Sequence, residues 1–119
     1  MTTHDIAHRL HELCQHGHFD TAQKELYAAD ATSTEMDMVT GNLVTITGLE
    51  AIESKGKQFQ SMIEEMHGGH AGEPKVFGNQ IFMDLHIDAT MKERGRVQMD
   101  EMCHYVVKDG KIISEQFYF

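Results

Sequence analysis

From Lys75 onward, apolar and polar residues alternate in long runs, the period of strands with one buried face. Met83, Leu85, Ile87 and Ala89 take every second place, and Asp84, His86, Asp88 and Thr90 fill the places between. The pattern predicts three strands: 75–93, interrupted near Gly78-Asn79, then 96–108 and 111–119. Arg94-Gly95 and Asp109-Gly110 serve as the turns between them. The first half instead repeats at helical spacing. Residues 4–16 put Ile6, Leu10, Leu13 and Cys14 on one face and stop at Gly17. A short helix fits 19–28 with Asp20 as its N-cap, and the longest spans 49–66 through Ile52, Phe59, Met62, Ile63 and Met66. Residues 31–37 read as a threonine-rich strand, 42–47 as strand-like, and HGGHAGEP (67–74), with the only proline, as a loop. Helices followed by a curled antiparallel sheet make an α+β arrangement in one domain, 1–119.

A two-residue turn at Asp109-Gly110 sets Val106 opposite Ile113, His104 opposite Glu115 and Met102 opposite Phe117. A similar turn at Arg94-Gly95 sets Met83, Leu85 and Ile87 on that same face. The predicted inner face therefore collects Met83, Leu85, Ile87, Met102, Val106, Ile113, Phe117 and Phe119, with Asp100, His104 and Glu115 among them. Ionisable groups on an apolar face need partners or a purpose, because burying an unpaired charge is costly. The outer face carries Met99, Cys103, Tyr105, Ile112 and Tyr118, enough apolar surface to suggest a second copy packed there.

Charge narrows the partners. The formal net charge of −9 argues against a nucleic-acid surface and against docking on an anionic membrane. MTTHDIAHRL has neither the basic flank nor the apolar segment of a signal peptide, so a cytoplasmic location is expected. The two cysteines, Cys14 and Cys103, form no metal spacing and no disulfide framework.

LYAADATSTEMD (26–37), GLEAIESKGKQF (48–59) and VVKDGKIISEQFYF (106–119) together resemble the SnoaL-like proteins. These belong to the nuclear transport factor 2-like superfamily, with ketosteroid isomerases, limonene epoxide hydrolases and scytalone dehydratases. The resemblance implies a cone: a strongly bent sheet wrapped around helices, an apolar pocket at one end, and a dimer through the outer sheet face. It also implies a pocket carboxylate as general acid or base, at Glu35, with Asp37 two residues further on. The isomerases' second acidic residue and first-helix tyrosine fall at Met102 and near Leu10, so both oxyanion donors are missing.

The candidate catalytic set is His104, oriented by Glu115, with Glu35 or Asp100 assisting. Phe59, Met62, Met66, Met83, Leu85, Ile87, Met102, Phe117 and Phe119 are the expected ligand-binding wall, methionines suiting an irregular cavity. His4, His8 and His11 share a helical stripe that faces water, and the histidines of HGGH lie on the loop, so no metal site is expected. No Ser/His/Asp triad, phosphate-binding glycine loop or dinucleotide fingerprint is present. The expected activity is cofactor-free isomerase, cyclase or hydrolase chemistry by proton transfer on a small apolar molecule. A non-catalytic binding or dimeric scaffold module is the alternative.

Overall fold

Thr2 opens the first helix with a reciprocal cap: its hydroxyl accepts from the Asp5 amide at 3.1 Å, and the Asp5 carboxylate accepts from the Thr2 amide at 3.0 Å. In the computed structural model, which describes Met1–Phe119, helix α1 then runs Thr3–Gln15 and buries the expected stripe of Ile6, Leu10, Leu13 and Cys14. Helix α2, Phe19–Leu26, has His18 rather than Asp20 at its N-cap position, without a side-chain cap, and passes directly into a strand at Tyr27. The remaining elements are β1 (Tyr27–Met36), β2 (Leu43–Thr47), α3 (Leu49–Ser61), β3 (Ile63–Ala71), β4 (Lys75–Phe77), β5 (Gln80–Met91), β6 (Gly95–Lys108) and β7 (Lys111–Tyr118).

The strands form one open sheet in the order β2-β1-β7-β6-β5-β3, with β4 also paired to β5. The α+β class stands, but the sheet is mixed, because β1 and β7 run parallel while every other pair is antiparallel. The helices cover one face. Ile6, Leu10 and Leu26 pack with Ile81, Met83, Cys103 and Ile112, and all of these are nearly inaccessible to water.

Two sequence expectations fail here for local reasons. The predicted long helix ends at Ser61, and Ile63–Ala71 is an edge strand that pairs with β5 from Ile63↔Met91 to Ala71↔Leu85. Helical spacing of Met62, Ile63 and Met66 was coincidental. Backbone pairing at a sheet edge needs no buried side chains, and Met62 and Met66 are 40% and 46% exposed. Met62 and Met66 therefore lie at the exposed sheet edge and are not among the residues that line the Glu35–Lys55 cavity described below.

The second failure is the inward face of β6. The β5–β6 connection is the three-residue Lys92–Arg94, closing on the pair Met91↔Gly95, rather than a two-residue turn. Its sharp reversal uses left-handed backbone at Glu93 (φ 69°) and Gly95 (φ 78°). The β6–β7 turn does start at Lys108↔Lys111, but the ladder then steps from Val107↔Ile112 to Val106↔Ser114, leaving Ile113 as a bulge. One extra residue turns everything beyond it to the other face. Tyr105, not His104, therefore lies opposite Glu115, and His104 lies opposite Gln116. Odd-numbered residues of β6 look inward, so Cys103, Tyr105 and Val107 are buried, while Asp100 and Met102 are exposed. Cys103, Tyr105 and Ile112 are thereby lost to the predicted outer apolar face.

Leu10→Ala should destabilise the chain by about 2–5 kcal/mol, because its 1% exposed side chain sits where no neighbour can collapse fully into the void. Urea unfolding measures this. A loss under about 1 kcal/mol would contradict a packed helix–sheet core.

Candidate functional site

Ser33 and Glu115 are register partners on the parallel strands β1 and β7, so their side chains emerge side by side on the concave face. Ser33 Oγ donates to Glu115 Oε2 at 2.7 Å, and the Tyr27 hydroxyl donates to Oε1 of the same carboxylate. Glu115 is 5% exposed and Ser33 1% exposed. Burial pushes the Glu115 carboxyl above its ordinary range, against the two hydroxyl bonds and the nearby Lys55 ammonium, which pull it down. The Tyr27 phenol is pushed well up, first by burial and then by the Glu115 charge.

Lys55 comes from α3. It forms an ion pair with Glu35, and its ammonium lies 5.9 Å from the centre of the Phe117 ring. Half-buried, its pKa is lowered by desolvation, while Glu115 and Glu101 act in the opposite direction. Glu101, inward on β6, is raised by burial and then by Glu115, with Lys55 opposing. One cation therefore serves three carboxylates.

Ser33, Glu35, Met36, Asp37, Val44, Ile46 and Lys55 line a half-open cavity of about 230 Å³. Its polar lining is the Glu35–Lys55 pair with Ser33 and Asp37, and its apolar lining is Met36, Val44 and Ile46. Glu115 lies behind Ser33 and acts on the cavity through that hydroxyl and through its charge interaction with Lys55. A carboxylate beside an ammonium on an apolar wall can remove a proton and stabilise the oxyanion that results.

The structure brings together only part of the predicted set. Glu115 is inside, and Glu35 lines the cavity. His104 is on the outer face, stacked on Phe82 at 4.4 Å between ring centres and donating from Nε2 to the Gln80 side-chain oxygen at 2.7 Å. Asp100 is outside too, 2.7 Å from His86 Nδ1, while His86 Nε2 lies 2.7 Å from Asp84. Of the predicted apolar wall, Met83 and Leu85 are core, Ile87, Phe59 and Phe117 are partly buried, and Met102 and Phe119 are exposed.

Tyr27, Ser33 and Lys55 went unread in the sequence. Ser33 lies on the inward alternation Ala31, Ser33, Glu35, and Tyr27 is set apart from it by a register break between Tyr27 and Thr32 that no side-chain pattern marks. Lys55 carries no local signal.

The histidine stripe divides. His4 and His8 are exposed, whereas His11 donates to the Ala71 carbonyl at 3.0 Å and ties α1 to β3. No group of three His, Cys, Asp or Glu side chains converges as a metal ion would require. The Asp84–His86–Asp100 chain cannot do so, because the two carboxylates hold opposite ring nitrogens. No helix is long and apolar enough to cross a membrane.

A bent open sheet around three helices, with a polar cluster inside its concave face, is the architecture of nuclear transport factor 2-like, cystatin-like and ketosteroid isomerase-like proteins. The SnoaL-like domain family model matches residues 1–119, and the chain belongs to that family. A crystal structure from Mesorhizobium loti, provisionally named both a SnoaL-like polyketide cyclase and a carbohydrate phosphatase, is 36% identical over 100% of both chains with a TM-score of 0.90. A cystatin-like protein of unknown function from Xanthomonas campestris shares the fold at 14% identity, covering 99% of this chain and 90% of its own, TM-score 0.79. A ketosteroid isomerase-like protein from Catenulispora acidiphila, solved with trimethylamine, is 18% identical over 99% and 87%, TM-score 0.67. No curated relative matches the chain.

Because the Glu115 and Glu101 carboxyls sit above their usual value of 4.5 when folded, the folded chain keeps protons there that the unfolded chain has released. Their contribution to stability is greatest below pH 4.5 and falls as pH rises through the raised folded values. Glu115→Gln removes one of the two, so its stability should fall less than the parent's over that window. Urea unfolding stepped from about pH 4 to pH 8 measures the difference, and identical slopes would refute it.

Proposed function

We propose that this SnoaL-like chain is a cofactor-free, small-molecule acid–base enzyme whose site is the Glu35–Lys55 cavity. What supports this is the pairing of the Glu35 carboxylate with a lone ammonium on the wall of a half-open cavity of mixed lining, to which Met36, Val44 and Ile46 give apolar surface and Ser33 and Asp37 polar surface. Glu35 is the general base: it takes a proton from the carbon next to a substrate carbonyl and can return it elsewhere, which is isomerisation. Lys55 donates to the oxygen where negative charge develops, supplying what the absent second acid and first-helix tyrosine supply in the isomerases. Ser33 presents its hydroxyl at the cavity floor, fixed from behind by Glu115, which Tyr27 holds in turn. The same base could activate water for epoxide opening.

A purely binding role is favoured by one feature. Glu35 and Lys55 already satisfy each other, and a ligand must separate them. Turnover decides between the two.

A thermal-shift screen of small enones, lactones and epoxides identifies ligands, and turnover assays follow on the hits. Glu35→Gln should lower kcat by about 10²–10⁴-fold and Lys55→Met by about 10²–10³-fold, each in a variant whose circular dichroism shows the fold retained. His104→Ala, on the outer face, should leave turnover intact. Full activity in Glu35→Gln would end the enzymatic reading at this site.

The outer face is the proposed dimer surface. Phe77 packs edge-on against Phe82 at 6.2 Å, and Met102 pairs with Tyr118 beside them, leaving Phe77, Met102 and Tyr118 66%, 43% and 49% exposed. Sedimentation should give a two-chain species that Met102→Asp converts to a single chain, while a single chain at every concentration in the parent would refute the dimer.

A further inference from the structure

Four polar side chains line the cavity, and three of them find their partners at its wall or rim. Glu35 and Lys55 hold each other, and Asp37 accepts from the Val39 and Thr40 amides. Ser33 alone bonds into the interior. Its hydroxyl meets Glu115 Oε2 at 2.7 Å, and the Tyr27 hydroxyl takes Oε1. Lys55 pairs with Glu35 rather than with this acid, so Glu115 has two hydroxyls as its hydrogen-bond partners and no ion pair.

Such a pair has two arrangements of protons on the same heavy atoms. A serine hydroxyl carries one proton and two lone pairs. With Glu115 ionised, both its oxygens can only accept, so the serine proton is committed inward and Ser33 offers the cavity lone pairs alone. With Glu115 protonated on Oε2, the acid donates to Ser33 Oγ, Tyr27 still donates to Oε1, and the serine proton is free to turn outward. Ser33 then changes from acceptor to donor at the cavity floor. Only the second arrangement suits a ligand oxygen on which negative charge develops.

We infer that Glu115 is a positioning residue that works as a carboxylic acid: it donates to Ser33 and thereby aims the serine hydroxyl at the substrate oxygen, beside the Lys55 ammonium. This rests on the proposed cavity and adds its second donor. The acid takes its proton from solvent before the ligand binds. No proton leaves the pair during turnover, because Ser33 contributes a hydrogen bond only.

Burial holds the Glu115 carboxyl above the ordinary 4.5, so the acid form persists where an exposed carboxylate would be ionised. Most groups around it stay neutral. Tyr27 on β1, Tyr105 and Cys103 on β6 and Cys14 on α1 are all pushed up by burial, Cys14 to about 12. Lys55 on α3 favours the ionised acid. Glu101 on β6, raised by burial and by the Glu115 charge, is the one other neighbour with a carboxyl to titrate, so the test has to separate the two.

Calorimetry with cyclohexenone from about pH 5 to pH 9 reads the donor. In the parent, affinity should be highest at the acid end, fall about two- to tenfold as Glu115 ionises, and then level off, since one hydrogen bond is lost. Glu115→Gln should hold the tight value throughout, because its amide N–H donates to Ser33 Oγ at every pH. Ser33→Ala should be flat at the weak value. Tyr27→Phe removes a bond that pulls the carboxyl down, so its fall should move to higher pH. In Glu101→Gln the fall should persist. Lys55→Met tests the cavity rather than the serine, and should weaken the enone at both ends of the range. A flat parent, a fall that survives in Glu115→Gln, or one that vanishes in Glu101→Gln would overturn the inference, while weakening by Lys55→Met leaves the cavity standing. If the enone binds the parent at no pH, cavity and inference fall together. Circular dichroism checks each variant, and should Glu115→Gln not fold, a fall that persists in Ser33→Ala or stays in place in Tyr27→Phe overturns the inference by itself.

Discussion

The concave face of this sheet is organised around a carboxylate that water does not reach. Burying Glu115 is unfavourable unless its oxygens are satisfied, and Tyr27 and Ser33 satisfy one each. That requirement fixes several things at once. β1 must run parallel to β7 with Ser33 beside Glu115, α2 must end where Tyr27 can turn inward, and β7 must bulge at Ile113 so that Glu115 and Ile112 share a face. Without the bulge, either Ile112 or Glu115 would point to solvent. The irregularity in the last strand is thus what lets an aliphatic residue and an acid line the same interior.

The same carboxylate sets the electrostatics of the cavity. Glu115, Glu101 and Glu35 surround one ammonium, and no other cationic side chain lies among them. Desolvation opposes the charge on Lys55 while the acids favour it, so small changes in proton occupancy behind Ser33 are felt at the cavity. A neutral Glu115 leaves Lys55 with Glu35 as its main counterion.

Much of the fold was legible because it is written in periods. The α1 stripe, the alternation of β5 and the Asp109-Gly110 turn all lie where their side-chain patterns put them. The family likeness was carried by three short motifs in the right order. What stayed illegible has a common cause: it depends on single residues that break a period. Two irregularities, the three-residue connection at Lys92–Arg94 and the bulge at Ile113, each reversed the parity of β6, and the errors agreed with one another. That concordance gave His104 an interior it does not have. Ile63–Ala71 was hidden for the opposite reason, since an edge strand held by backbone pairing leaves no alternation to find. Glu35 was available through the resemblance, and Glu115 through its place on an apolar strand. Lys55 could not be found, because a lysine on a helix is ordinary until the tilt of that helix aims it over Phe117.

The outward placement of His104 and Asp100 changes what the chemistry can be. An imidazole at the site would have offered acid and base near neutral pH from one group. With carboxylates and an ammonium instead, the proposed reaction assigns proton removal to Glu35 and charge stabilisation to Lys55, and the two proposed roles are tied through their ion pair. A substrate must then bring something that replaces the ammonium's partner, and a carbonyl oxygen that becomes an enolate does so progressively as the proton leaves. The interaction is weak with the ground state and strong with the developing anion, which is the sense in which such a site accelerates a reaction. An ion pair that looks like self-satisfaction in the unliganded chain is, on this view, the resting form of the catalytic device.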